Sequence, residues 1–157
     1  MIRLRNARLE DLAYICELEA RFAALGFVGC DDEAIHKQRL ENADSAYFVV
    51  EHNEAPAGFV ILCGLCGIHR NVLLRRVVVA EPGQGMGREA LRLVLRHVFA
   101  ELSAHRFWLD VYDDNERALR AYRALGFVEE GTMRECIWSG GRFRSLIVMS
   151  ILDREFE

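Results

Sequence analysis

The sequence lacks any apolar run long enough to cross a membrane. Its most apolar stretch, Asn71 to Ala80, is broken by Arg75 and Arg76 and falls far short of the ~18 consecutive apolar residues a span needs. It also lacks an excess of one charge: 20 Lys and Arg against 24 Asp and Glu leave a formal net charge of −4. No global positive field then draws the chain to nucleic acid or to an anionic membrane, and a cationic or amine-bearing partner is mildly favoured. With 2 Pro and 12 Gly in 157 residues, collagen-like and disordered compositions are excluded. Low-complexity segments, linkers and solenoid-period repeats are absent, so one domain over residues 1–157 is expected. The start, Met1 to Arg5, alternates apolar and basic residues without a signal-peptide core, which argues against export and for a cytoplasmic location. The five cysteines, Cys16, Cys30, Cys63, Cys66 and Cys136, are odd in number and sit in mostly apolar surroundings; reduced thiols in small core positions are expected.

What is present is the composition of a globular domain, 52% hydrophobic and 28% charged. At about 150 residues a chain buries roughly 70% of the surface its unfolded form exposes, enough for a core and a cleft without disulfides or structural metal. Ile2, Leu4 and Ala7 alternate with arginines as in a strand, and Leu12, Ile15, Leu18, Glu19 and Phe22 follow at helical spacing. A second short helix opens with Asp31-Asp32-Glu33, where negative charge suits the helix dipole, and runs through Ile35 and Leu40. A mobile loop is expected between the two helices, over Gly26 to Gly29. Ala46–Glu51 and Ala55–Leu62 read as a hairpin, and Asn71–Val79 as a strand buried on much of both faces. Leu91, Val94, Leu95, Val98, Phe99 and Leu102 mark the clearest helix. Phe107–Val111 is then a strand, Asn115–Leu125 a helix closed by Gly126, and Phe127–Trp138 and Arg142–Leu152 a hairpin turned by Gly140 and Gly141. The order βααβββαβαββ describes an α/β (α+β) protein with a mixed central sheet and helices on both faces.

The most informative segment is Val77-Val-Val-Ala-Glu-Pro-Gly-Gln-Gly-Met-Gly-Arg88, a buried strand running through alternating glycines into an amphipathic helix. The first N–H groups of a helix lack intrahelical partners and carry the positive end of the dipole, and glycines let a phosphate approach the main chain. A dinucleotide fingerprint requires G-x-G-x-x-G, whereas Gly83, Gly85 and Gly87 give G-x-G-x-G; a P-loop requires Lys and a hydroxyl residue where Arg88 and Glu89 stand. The glycines alone are also compatible with a strand-to-helix connection that holds no ligand.

Downstream, Asn115, Ala118, Tyr122, Gly126 and Phe127 complete the pattern N-x-x-A-x-x-x-Y-x-x-x-G-F. With the glycine turn before it, the sequence resembles the GNAT superfamily of acyl-CoA-dependent N-acetyltransferases, over the element order from Ile2 to about Leu152. Its C-terminal part, Glu130 to Ser150, is similar to the branch that includes ribosomal-protein N-terminal and spermidine acetyltransferases. The resemblance implies that acetyl-CoA is the co-substrate, without a metal. It implies that backbone groups of Val77 and Val79 pair with the pantetheine arm as an added strand. It further implies that the amides of Gly83, Gln84, Gly85, Met86, Gly87 and Arg88 hold the pyrophosphate and that Asn115 contacts the cofactor or the splayed strand beside it. Tyr122 is implied as the general acid. The chain departs from the family where Pro82 stands in place of Gln or Arg, in a turn two residues short.

Acetyl transfer to an amine needs a neutral nucleophile, a polarised thioester carbonyl and a proton for the departing thiolate. A phenol, with an ordinary pKa near ~10, still holds a proton to give at neutral pH. Taken without its motif, Tyr122 also reads as a core tyrosine. Glu81 and Asp110 lie nearest for a general base, and neither is assigned. Cys63-x-x-Cys66 with His69 has no second ligand pair and reads as strand thiols; His36, His52, His97 and His105 read as surface residues. The expected reaction moves acetyl from acetyl-CoA to a primary amine by direct attack. The acceptor is a protein N-terminus, a polyamine or a small amino compound. Glu10, Asp11, Glu17, Glu19, Asp31, Asp32 and Glu33 could line a polyamine site or form solvated helix faces. A non-catalytic acyl-CoA-binding or dimerisation module is the alternative, and a protein binding another phosphate ligand at the glycine turn is a third. An edge strand near the C-terminus could pair across a two-fold axis as a homodimer.

Overall fold

Strands rich in Val, Ile and aromatic residues alternate with helices that present one apolar stripe, and the two periodicities sort the chain into three layers. The computed structural model describes residues 1–157. In order they form β1 (Ile2–Asn6), α1 (Leu12–Ala24), α2 (Glu33–Leu40), β2 (Ser45–His52), β3 (Ala55–Cys63) and β4 (Asn71–Val79). There follow α3 (Met86–Arg96), β5 (Arg106–Tyr112), α4 (Glu116–Ala124), β6 (Val128–Ser139) and β7 (Arg142–Leu152). This is the expected order of elements, with boundaries shifted by a residue or two. The widest shift is at α3, whose last part, His97–Glu101, is wound as a π-helical turn.

The strands make one seven-stranded sheet in the order β1-β2-β3-β4-β5-β7-β6. Only β4 and β5 run parallel; every other neighbouring pair is antiparallel. One face carries Val60, Leu62, Leu74, Phe107, Leu109 and Met149 against Leu91, Val94 and Leu95 of α3 and Leu119 and Tyr122 of α4. The other carries Tyr47, Phe59, Ile61 and Val78 against Leu12, Ile15, Leu18 and Phe22 of α1. Helices therefore cover both faces, and non-directional burial of these apolar stripes is what holds the layers together.

Two local features shape the site. Across β3 and β4, Ile61 pairs with Arg76 but Leu62 pairs with Leu74, so Arg75 is the extra residue of a β-bulge. A bulge breaks strict alternation, and Arg75 and Arg76 both reach Asp31 on the α1/α2 side of the sheet. In β3, Gly58 lies so close to β4 that an added Cβ would come within 2.3 Å of the Val78 carbonyl oxygen. Only a residue without a side chain lets the strands approach there.

Two expectations are corrected. His36, read as a surface residue, is fully buried, while its neighbour Ile35 is 42% exposed. The turn of α2 that meets the sheet is thus the polar one, because Glu19 and Tyr47 wait for it there. The cysteines are not core residues: Cys30, Cys66 and Cys136 are exposed and Cys16 and Cys63 half-buried, since the apolar packing positions beside them are taken by larger side chains. The loop Gly26–Gly29 is held at one end, where the Gly26 carbonyl accepts a hydrogen bond from Arg144 Nη1 at 2.8 Å.

Candidate active site

β4 and β5 pair only from Asn71 to Leu73 and from Arg106 to Trp108. Beyond that point the strands part. β4 stays on β3 as far as Val79, and β5 stays on β7 as far as Tyr112. The split leaves a cavity of about 820 Å³ between them, walled by Val77 and Val79 of β4, Asp110 and Tyr112 of β5, and Asn115 and Tyr122 at α4. The β4 edge facing this gap has no strand partner, so its backbone groups are available to an extended ligand, as in strand addition. Apolar walls with a few convergent polar groups are the usual make-up of a small-molecule site.

The residues singled out in the sequence fall into two places. Val77, Val79, Asn115 and Tyr122 line the cavity itself, and Pro82 lines its far end. Gly83, Gln84, Gly85, Met86, Gly87 and Arg88 lie past that end, at the start of α3. Gly83 and Gly85 have φ of 94° and 78°, a region that favours glycine, and Gly85 is the N-cap of α3. An added Cβ at Gly85 would meet nothing within 4 Å, and at Gly83 only Arg117 Nη2 at 3.7 Å. The surface over this helix start is therefore open and bare. Gly87 has no positive φ, and Met86 is buried in the core. Gln84 Nε2 donates to Glu81 at 3.2 Å, and Arg88 is exposed. The Asn115 side chain caps α4, its Oδ1 accepting from the Ala118 amide at 3.3 Å.

Tyr122 projects from the buried side of α4 and is 8% exposed. Its ring packs edge-on against Phe127, with centroids 5.6 Å apart. Its hydroxyl is not among the sealed polar atoms that lack partners, which are Tyr14 Oη, Arg75 Nε and Arg144 Nε; it is open to the cavity. Burial, with the nearby Asp110 charge adding to it, pushes the phenol well above its ordinary value, so it stays protonated throughout the neutral range.

Sequence reasoning missed or left unassigned several charged residues of the cleft. Phe107, Leu109 and Val111 of β5 face the α3/α4 core, so strand alternation turns Asp110 to the opposite face of the sheet. Asp110 is exposed along β5, and the partial loss of water around its carboxyl at the cleft wall pushes it above the usual carboxylate range, while Arg76 and Arg75 pull against it. Arg117, in the first turn of α4, lines the cavity and reaches toward Gly83, next to the helix start. The signal for Arg117 was its place two residues after Asn115. Nothing in the local sequence signalled Arg75 and Arg76, because a strand without a bulge would have sent them to opposite faces.

Behind the cleft, on the same face, lies a closed polar cluster. His36 Nε2 is 2.8 Å from Glu19 Oε1 and His36 Nδ1 is 2.7 Å from Tyr47 Oη. The same Glu19 oxygen accepts from the Asp31 amide at 2.8 Å, and Glu19 Oε2 accepts from Arg76 Nε at 3.1 Å. Asp31 in turn accepts from Arg39 at 3.2 Å and Arg75 at 3.4 Å. Against a burial cost, these partners hold both carboxyls below the usual carboxylate range. The acidic residues considered for a polyamine site are largely spent in this way. Asp11 pairs with Arg5, and Asp32 caps α2 through the Ile35 amide.

The comparisons agree with this geometry. Residues 12–127 match the model of the acetyltransferase (GNAT) family, and the chain belongs to that family. It is 27% identical over 165 residues to the spermidine N(1)-acetyltransferase of Escherichia coli K12, covering 99% of this chain and 88% of that protein. It is 29% identical over 126 residues to the Vibrio cholerae enzyme of the same name, covering 80% of this chain and 73% of that one. The structure superposes on the crystal structure of the Vibrio cholerae spermidine N-acetyltransferase in complex with CoA and spermine with a TM-score of 0.89. That match covers 98% of this chain and 96% of that one at 26% identity. The chain is thus an N-acetyltransferase of the GNAT fold, with acetyl-CoA as its acyl donor. No helix in it is long and apolar enough to cross a membrane.

Proposed function

We propose that this chain, as one domain over residues 1–157, acetylates a primary amine in the gap between β4 and β5, with Tyr122 as the general acid. The observation that carries this reading is the parting of the only parallel strand pair directly beside a buried tyrosine whose hydroxyl opens into the gap. Val77 and Val79 offer the free β4 edge to the pantetheine arm. The open start of α3 from Gly83 to Arg88 and the Arg117 guanidinium receive the pyrophosphate, and Asn115 fixes the α4 end of the site. Arg117 supplies the positive side chain that Pro82 cannot.

In the reaction, the amine nitrogen bonds to the thioester carbonyl carbon and the carbon–sulfur bond breaks. The Tyr122 proton passes to the thiolate sulfur, and the amine's surplus proton leaves toward Asp110 and solvent, from which Tyr122 is reprotonated. The products are the N-acetyl amine and CoA. Similarity to spermidine N-acetyltransferases supports a polyamine as the first acceptor to assay. A homologous Vibrio cholerae enzyme is dodecameric, and we extend self-association to this chain. A cytoplasmic setting, where acetyl-CoA is at hand, fits the exposed free thiols.

The direct test is the thermal midpoint with and without acetyl-CoA, followed by thiol release with an amine panel. A saturable rise is expected, because a ligand bound only by the folded state stabilises it by mass action. No rise at a cofactor concentration far above micromolar would overturn the assignment of the cleft.

A further inference from the structure

The acceptor side of the cleft carries both signs of charge, and only one of its cations is already committed. Arg76 is fully engaged: Nε donates to Glu19, Nη1 donates to the Arg75 carbonyl at 3.2 Å, and Nη2 lies 3.7 Å from Asp31. Arg75, the bulge residue, has one long contact, Nη2 to Asp31 at 3.4 Å. Its Nε is sealed from solvent with no partner, and its side chain, 34% exposed, lines the cavity. A buried guanidinium N–H without an acceptor is costly to leave unmade, and a planar fork is suited to a carboxylate. Across the gap, Asp110 is the sole carboxylate among the cavity walls and lies close enough to Arg75 to feel its charge.

This arrangement suits a polycation poorly. A polyamine brings two or more ammonium groups, whereas the cavity offers it one carboxylate and faces it with Arg75 and Arg76. Glu19 and Asp31 offset only part of this charge, because three arginines, Arg39, Arg75 and Arg76, share the two carboxylates. Like charges across a desolvated site disfavour the wrong ligand, as opposite charges favour the right one.

We propose, resting on the transferase reading above, that the preferred acceptor is a primary amine bearing its own carboxylate a few bonds away, as an α-amino acid with an apolar side chain does. Asp110 takes the ammonium end, and Arg75 takes the carboxylate through the exposed end of its guanidinium, whose Nη1 donates to no group of the chain. The apolar side chain lies against Phe27, Val28 and Ile137 at the mouth. Arg75 is then the specificity-determining residue, placed by the β-bulge.

The test is kcat/KM by thiol release with the intact protein. Leucine, methionine and phenylalanine are each paired with the amine left by removing the carboxylate, alongside spermidine and a leucyl-aspartate dipeptide. At least one amino acid is expected to exceed its decarboxylated partner tenfold or more and to exceed spermidine. Arg75→Gln should bring that ratio towards one, and Arg75→Lys should keep part of it; because the ratio is taken within each variant, folding losses cancel. A dipeptide preferred over all free amino acids would keep the amine-plus-carboxylate chemistry and place the anion on a peptide. Spermidine or the plain amines exceeding every carboxylate-bearing acceptor, or a ratio untouched by Arg75→Gln, would overturn this inference and leave the transferase reading intact. No thiol release above the acceptor-free rate with any of these amines would overturn both.

Discussion

Two groups of charge share the α1/α2 face of the sheet, and they are finished to different degrees. In the closed cluster, both oxygens of Glu19 and both ring nitrogens of His36 have partners at 2.7 to 3.1 Å. In the cleft, Asp110 and the Tyr122 hydroxyl face the cavity, and Arg75 lines it with a single long contact to Asp31. The two regions meet at the bulge, where Arg76 belongs to the first and Arg75 to the second. Polar groups satisfied by the chain itself pin α1 and α2 to the sheet; polar groups left aimed into a gap are what a substrate can satisfy.

Four substitutions sharpen or break that contrast. The largest effect is expected in the open region: Tyr122→Phe removes the proton donor and should lower kcat about 10²- to 10⁴-fold. It should do so while the acetyl-CoA-dependent rise in thermal midpoint persists; equal loss of both would place Tyr122 in binding rather than in proton transfer. Next comes the closed cluster. Glu19→Ala strands His36 Nε2, the Asp31 amide and Arg76 Nε, and should cost about 3–5 kcal/mol in denaturant unfolding, the scale for removing one member of a buried charged pair. A loss well under 1 kcal/mol would mean that the cluster is not the structural pin described here.

Gly58→Ala acts on the boundary between the regions, since the added methyl must push against the Val78 backbone. A loss of ~1–3 kcal/mol is expected, as for overpacking generally, together with weaker acetyl-CoA binding because β4 shifts. The smallest effect concerns pH. The Asp110 carboxyl is raised in the folded state, so its ionisation opposes folding above that raised value and is without effect once pH falls below the ordinary carboxylate range. Asp110→Asn should therefore melt higher than the parent at neutral pH, with the gap closing in acid. Glu19 and Asp31 have the opposite sign. Their lowered values contribute stability above the ordinary carboxylate range, which is lost as pH falls through the lowered ones. A parent protein whose midpoint does not fall in acid would contradict that assignment.

The order of elements was legible because it depends on local periodicity: Leu91, Val94 and Leu95 at helical spacing need only one another to define a face. The glycine turn was legible for a similar reason, since Gly83 and Gly85 do adopt the positive φ that makes them glycines. Tyr122 and Asn115 were reached through a spaced motif and lie on the cavity wall. His36 was misread because a histidine's burial depends on what meets it, and Glu19 and Tyr47 come from 17 residues before it and 11 after it. The acidic residues of the first 33 positions looked free for a cation because their arginine partners, up to 57 residues away, could not be assigned in advance.

The sequence by itself determined that this chain folds as alternating strands and helices, with a helix start bare enough for phosphate and a phenol nearly two turns into the next helix. Those features follow from patterns shorter than about one helix, and backbone and side-chain preferences act over that range. Only the tertiary structure decided where β4 and β5 part and which arginine the bulge turns into the gap with a single long contact. It also decided which carboxylates remain to meet a substrate. Each of these depends on register between strands and on charges far apart in the chain, and a one-residue change of register sends a side chain to the other face of the sheet.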